Sequence, residues 1–495
     1  MCHCRTGRCG NRSARGTTMS TSETSTTARG GDGGRDYLLG KAVQLASVAA
    51  LGGFLFGFDT AVINGAVGAM REEFEMGSVL TGFVVSSALL GCMVGAYLAG
   101  RLAERVGRIR VMVLASALFT VSAIGSGLAF GPWDMIFWRV VGGMGVGAAS
   151  VIAPAYIAEI SPASIRGRLG SLQQMAIVVG IFVALLSDYF LASVAGGSGE
   201  ALWGSVAWRW MFWAEVVPAV AYGVLALTIP ESPRYLVSLG RVDEAREVLG
   251  RVMLRGIPER IKEIRRTVRQ EARASLSDLR GSAGKVLPIV WIGIGLSVFQ
   301  QFVGINVIFY YSSTLWQAVG FTEDDALTQT VITSVTNIAV TVVAIALIDK
   351  IGRRVLLLIG SAGMFASLGT MAWVFATADR VQQGEQMVPV LSDSQGVVAL
   401  VAANAFVVFF GMSWGPGVWV LLGEMFNNRI RATALGIAAA AQWLANFAIS
   451  TTFPVMADLG LGVAYGFYTL CALLSFFFVL RWVPETKGRE LEDME

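Results

Sequence analysis

Apolar stretches recur along this chain from about Gln44 to Trp482. Each is close to the roughly 20 residues that a helix needs to cross the hydrocarbon core of a bilayer. The pattern predicts twelve membrane-spanning helices, near residues 44–68, 79–100, 109–129, 133–156, 168–192, 207–229, 287–313, 326–348, 354–376, 396–423, 432–456 and 461–482. Between the sixth and seventh stretches the pattern changes. Segment 231–285 is highly charged, and its apolar residues Val242, Ala245, Val248 and Leu249 recur at helical spacing, which predicts a short bundle of amphipathic helices outside the membrane. Residues 1–40 are rich in Gly, Ser, Thr and Arg, which predicts a disordered tail, and they lack the apolar core of a signal peptide. The organisation expected is an all-α membrane protein: a tail to residue 40, a six-helix half 41–230, the helical segment 231–285, a second half 286–483 and a short tail 484–495.

The second half echoes the first. Gly100-Arg-Leu-Ala-Glu-Arg-Val-Gly-Arg108 is answered by Asp349-Lys-Ile-Gly-Arg-Arg354. Glu159-Ile-Ser-Pro162 with Ile165-Arg-Gly-Arg168 is answered by Glu424-Met-Phe-Asn427 with Ile430-Arg-Ala432. Pro230-Glu-Ser-Pro-Arg234 is answered by Pro484-Glu-Thr-Lys-Gly488. Two related membrane halves are the mark of a secondary transporter, whose site lies between them. Lys and Arg set the orientation. Arg101, Arg105, Arg108, Arg110, Arg166, Arg168, Lys350, Arg353, Arg354, Arg429 and Arg431 crowd the loops after even-numbered spans, while Glu72, Glu73, Glu75, Glu323, Asp324 and Asp325 lie opposite. Both termini are therefore expected in the cytoplasm.

With 54% hydrophobic and 15% charged residues, and a mean hydropathy of +0.62, the chain is no ordinary soluble protein; soluble chains carry roughly 25% charge. A net charge of +3 gives no reason to expect a nucleic-acid partner. Cys2, His3 and Cys4 fall short of the four placed ligands of a structural zinc site. With one histidine, in the tail, and no nucleotide or metal motif on the cytoplasmic side, no cofactor, metal or enzymatic activity is expected.

Ionisable residues inside spans are expensive and by default functional. Three stand out: Asp59 in the first span, Arg139 in the fourth and Glu215 in the sixth. A carboxylate whose arginine partner moves away during a conformational change binds and releases a proton; a permanent structural ion pair is the plainer reading. A second set is neutral. Gln300, Gln301 and Asn306 fall within about two turns of the seventh span, Gln173 and Gln174 lie in the fifth, and Gln442 precedes Trp443 in the eleventh. Amides both donate and accept, as the hydroxyls of an uncharged sugar require, and Trp414, Trp419 and Trp443 offer faces for a pyranose. Gly415-Pro-Gly417 is expected to break the tenth span.

These motifs together resemble the sugar porter family of the major facilitator superfamily, over essentially everything from Gln44 onward. Within it the chain is similar to the bacterial xylose/proton symporter and, more so, to actinobacterial glucose permeases, through Ile294-Gly-Leu-Ser-Val-Phe299 and Tyr310-Tyr-Ser-Ser-Thr-Leu-Trp316. The resemblance implies sugar contacts at Gln174, Gln300, Gln301, Asn306, Trp419, Gln442 and Trp443, with Tyr310 and Asn337 as neighbours. It implies proton coupling at Asp59, Arg139 and Glu215. Glu104 stands where the family pattern usually has aspartate. Glu159, Glu231, Glu424 and Glu485 lie near Arg105, Arg108, Arg166, Arg353, Arg354 and Arg431; paired across the halves, they would close the cytoplasmic end. The expected activity is proton-coupled import of a monosaccharide, D-glucose first and galactose or xylose next, by a monomer in the plasma membrane. A passive sugar facilitator is the alternative.

Overall fold

The computed structural model describes residues 37–162, 165–271, 279, 286–383, 386–426 and 430–485. Residues 1–36 and 486–495, which include Cys2, His3 and Cys4, lie outside the described residues, as does the side chain of Arg431. Among the described residues, eleven helices are long and apolar enough to cross a membrane. In order they are Leu39–Glu73, Ser78–Val106, Arg108–Leu128, Pro132–Ile160 and Arg166–Ala195, then Pro288–Gln317, Glu323–Leu347, Arg353–Ala376, Asp393–Met425, Thr433–Leu459 and Leu461–Trp482. The twelfth apolar segment, sixth in order, is two shorter helices, Ala207–Ala214 and Val216–Ala226, joined at Glu215. Pro218 explains the join: it has no N–H for the carbonyl four residues earlier, that of Ala214. Two small hairpins, Ala201–Leu202 with Ser205–Val206 and Asp379–Gln383 with Gln386–Val390, are the only strands among the described residues.

The halves meet where a pseudo-twofold relation requires. The second span packs on the eleventh, and the fifth on the eighth. At the first contact Gly82 lies against the Thr451 carbonyl, Ser86 Oγ is 2.6 Å from Thr451 Oγ1, and Phe83 meets Phe447 edge-on. Three helices, Pro233–Ser238, Val242–Gly250 and Ile257–Glu271, lie between the halves in sequence and share a core of Leu236, Ala245, Leu249, Ile261 and Ile264. The chain entering the first span is pinned to them, with Leu38 N–H donating to the Val252 carbonyl at 2.9 Å.

The sequence echoes acquire a physical meaning at the arginine-rich end. The third span begins at Arg108 and the ninth at Arg353, each just after a glycine in a left-handed conformation, Gly107 (φ 96°) and Gly352 (φ 101°). A helix start leaves its first N–H groups unpaired. Glu231, just past the sixth span, accepts from Arg108 N at 2.9 Å and Ile109 N at 3.3 Å. Glu485, just past the twelfth, accepts from Arg353 N and Arg354 N, both at 3.1 Å. A side chain on either glycine would run into its carboxylate, with a Cβ 2.3 Å from Glu231 Oε2 or 3.0 Å from Glu485 Oε2.

Candidate functional site

The first span is the spine of the site. Its stretch Gly53–Asp59 covers about 9 Å of helix and meets a different partner at each exposed turn. At Gly53 the approach is so close that a Cβ would lie 2.7 Å from Gln173 Nε2 of the fifth span. Phe56 packs on Trp443 of the eleventh span, ring centroids 5.8 Å apart, so a residue of each half meets there. Asp59 faces Arg139. Its Oδ1 accepts from Arg139 Nη1 at 3.2 Å, and its backbone carbonyl accepts from the same nitrogen at 2.9 Å.

Asp59, Arg139 and Glu215 are 1%, 2% and 1% exposed, and Glu215 lies within electrostatic reach of the other two. Asp59 Oδ2 and both Glu215 oxygens have no hydrogen-bond partner among the described residues. The cluster holds two acids and one base. With both acids ionised it would carry a net negative charge in a dry setting, which is costly. A single proton removes that charge.

The amides come from both halves. The seventh span breaks at Gly304, whose left-handed φ of 83° sets Pro288–Phe302 apart from Ile305–Gln317. Gln300 and Gln301 sit just before this break and are buried. Gln300 Nε2 donates to the carbonyls of Trp414 (2.9 Å) and Gly415 (3.2 Å), at the break of the tenth span. Asn306 Nδ2 donates to Gln301 Oε1 at 2.5 Å. Three buried amide oxygens, Gln173 Oε1, Gln300 Oε1 and Gln442 Oε1, have no partner among the described residues. Buried polar atoms are nearly always satisfied, and an acceptor left over asks for an O–H or N–H donor. Gln174 and Asn337 are half-buried, the latter beside Gly411 of the tenth span. Tyr310 is buried, bonds the Asn446 side chain and lies within reach of Arg139 and Asp59.

Several expectations need correction. The tenth span breaks at Ser413 (φ −129°, ψ −79°), just before Gly415-Pro-Gly417, which itself lies within the helix Trp414–Met425. Trp414 is fully buried and donates to the Leu357 carbonyl and Ser361 Oγ of the ninth span, so its face is not available to a ligand. Trp419 is 42% exposed on the same helix.

The charged gate is also arranged differently from the expectation. Arg108 pairs with Glu159 at 2.9 Å and Arg353 with Glu424 at 2.8 Å. These bonds, like the caps by Glu231 and Glu485, stay inside their own half. Pairing across the halves is expected of a state closed at this end, whereas here Glu231 and Glu485 accept from helix-start N–H groups of their own halves. Glu104 and Arg105 are exposed, and the Arg105 carbonyl accepts from Tyr235 Oη. Arg166 sits against Arg260 and Glu263 of the helix Ile257–Glu271. Arg354 donates to the Leu480 carbonyl at 2.6 Å.

Among the described residues, a cluster of bonds crosses the halves at the opposite end. Asn64, fully buried, donates from Nδ2 to the Phe309 carbonyl and to Ser312 Oγ, each at 2.9 Å. Its Oδ1 accepts from Ser313 N at 3.3 Å, and its own carbonyl accepts from Ser313 Oγ. Glu323, at the start of the eighth span, accepts from Ser198 N at 2.9 Å. That end is shut. Asn64 was not singled out from sequence. Nor was Asp188, a fully buried carboxyl in the fifth span, although an acid within Ala184-Leu-Leu-Ser-Asp-Tyr-Phe-Leu191 is as visible as Asp59.

Comparison with known proteins agrees with this geometry. The chain is 60% identical over 453 residues to the glucose transport protein of Synechocystis sp., covering 91% of this chain and 96% of that protein. It is 38% identical over 490 residues to the D-xylose-proton symporter of Escherichia coli, covering 91% and 94%. The fold superposes on the partially occluded inward-open conformation of the E. coli xylose transporter with a TM-score of 0.78 at 36% identity, covering 91% of this chain and 99% of that one. The family model described as sugar (and other) transporter matches residues 45–495, and the chain belongs to that family, with its major facilitator fold.

Proposed function

We propose that this protein imports a monosaccharide together with a proton by alternating access, with D-glucose as substrate and galactose or xylose as further candidates. One observation carries the reading. Amide oxygens with no partner among the described residues lie on the fifth, seventh and eleventh spans, and Gln173 of the fifth and Trp443 of the eleventh meet the same stretch of the first span that holds a buried cluster with one acid in excess of base. Neutral acceptors suit hydroxyl donors, Trp443 offers an apolar face, and the acid excess suits a proton. The Synechocystis relative's name supports glucose, and the E. coli symporter's supports the proton.

In this reading Gln174, Gln300, Gln301, Asn306, Gln442 and Trp443 hold the sugar, with Tyr310, Asn337 and Trp419 around it. Asp59, with Arg139 and Glu215, takes the proton. Lys and Arg placement puts the arginine-rich end and both termini in the cytoplasm of a plasma-membrane protein that works as a monomer. The shut end then faces outside, and the state described is inward-facing. The within-half pairs of Arg108 with Glu159 and Arg353 with Glu424 keep each half rigid as it rocks, and they leave the cytoplasmic end free to open. A charge moved through the full potential gains about 2.3 kcal/mol per 100 mV, which drives accumulation.

The test is uptake of labelled glucose and xylose by proteoliposomes, with and without an inward proton gradient. Gradient-driven accumulation is expected, glucose ahead of xylose. Asp59→Asn should abolish accumulation and leave glucose exchange intact. Equilibration without accumulation by the unaltered protein would make it a facilitator, and accumulation by Asp59→Asn would refute the coupling role.

A further inference from the structure

Asp188 is a third membrane carboxyl beside Asp59 and Glu215, with surroundings unlike theirs. It is fully buried; one oxygen, Oδ2, lies 3.3 Å from Gly65 N–H, and the other has no partner. The contact depends on Gly65, where a Cβ would come within 2.6 Å of Asp188 Cβ. Gly65 directly follows Asn64, which zips the first span to the seventh. Asp188, Gly65, Asn64 and Ser312–Ser313 are thus one continuous chain of contacts through the shut end.

Among the described residues, no cation balances Asp188. The charged groups on the elements packed against it are paired or stand at the helix ends. Asp59 is held by Arg139, Glu73 by Arg209 of the sixth span, and Glu323 by Ser198 N–H. Arg71, Glu72, Asp324 and Asp325 lie at the ends of the first and eighth spans. The Gly65 N–H is the one polar group acting on the carboxyl. An ionised carboxylate alone in an apolar interior is far costlier than the neutral acid. Opening the outer end pulls Asn64 away from the seventh span and admits water beside Gly65, where the ion is tolerated.

We propose that Asp188 is a gate proton site: its carboxylate takes one proton from the outer solution as the outer end closes and returns it to that side on reopening. The proton therefore biases closure without adding to the count carried with the sugar. This rests on the alternating-access reading above. Where one proton is taken up on closing, the ratio of closed to open changes by up to about tenfold per pH unit.

The experiment is a distance measurement between spin labels at Val79→Cys and Leu459→Cys, exposed positions at the outer ends of the two halves, with the accessible native cysteines replaced. The full chain is reconstituted in liposomes and the external pH is varied. Lower external pH should raise the closed fraction, in the otherwise unaltered chain and in Asp59→Asn alike. In the Asp59→Asn background, Asp188→Asn should flatten that dependence, and Asp188→Asn alone should leave the proton-to-glucose ratio of net uptake unchanged. A closed fraction independent of pH in the Asp59→Asn chain overturns the proposal without any change at position 188. Retained pH dependence in the Asp59→Asn, Asp188→Asn double variant, or a changed proton-to-glucose ratio in Asp188→Asn, overturns it as well. Loss of glucose uptake by the unaltered protein would remove the transport reading and this one with it; intact uptake with pH-independent closure removes only the role of Asp188.

Discussion

Asn64→Ala tests how the outer end is held. The side chain makes three bonds across the halves, to the Phe309 carbonyl, Ser312 Oγ and Ser313 N. Two features keep the cost of losing them small. Ser312 Oγ retains Thr330 Oγ1 at 2.7 Å. The Phe309 carbonyl and Ser313 N–H are an i, i+4 pair of one helix and can satisfy each other. Side-chain hydrogen bonds between membrane helices average about 0.6 kcal/mol, so three give about 1.8 kcal/mol, or about 20-fold in the ratio of closed to open. The bond from the Asn64 carbonyl to Ser313 Oγ survives the substitution. The outer spin-label pair described above should therefore shift toward the open distance by about that factor at fixed pH. Glucose should still bind, because Asn64 lies beyond Asp59 on the first span and holds no sugar. An unchanged distance distribution, or a shift toward the closed state, would show that this cluster does not hold the end shut.

Three further outcomes are expected. Gly304→Ala places a Cβ 2.8 Å from Tyr468 Cδ2 at a left-handed residue; strain of about 1–2 kcal/mol, with the steric clash added, should lower the thermal midpoint, and an unchanged midpoint counts against the break as drawn. Glu231→Ala and Glu485→Ala each remove a helix-start cap worth about 1–2 kcal/mol; both should lower thermal stability by similar amounts with glucose affinity preserved, and a loss confined to one half would contradict their equivalence. Gln301→Ala should weaken glucose binding about tenfold, from a hydrogen bond of about 1–1.5 kcal/mol; unchanged affinity by calorimetry would remove Gln301 from the sugar site.

Much of this protein can be read along the chain, because the bilayer is an unforgiving solvent. Backbone groups in hydrocarbon must be satisfied within the segment, so twelve apolar stretches predict twelve spans, and the one without a helix of spanning length is divided at Glu215, ahead of Pro218, a residue visible in the sequence. Buried ions are costly, so Asp59, Arg139 and Glu215 announce themselves one at a time. The apolar pattern reports whether a residue meets lipid or water, and it is silent on which neighbour it meets. Only the tertiary structure decided that Asp59 and Arg139, 80 residues apart, are bonded to each other. It alone decided that Glu231 and Glu485 cap helix starts inside their own halves, and that Asn64 reaches a helix 245 residues away. The gate expected from clustered charges belongs to a state closed at the cytoplasmic end, and in this inward-facing one Arg108 and Arg353 pair with acids of their own halves. Sequence put acids and arginines at one end, whereas closure lies at the other, in a neutral amide and two serines. Polar groups of that kind carry no charge to draw attention, and their importance comes entirely from being dry and paired across an interface that one dimension does not contain.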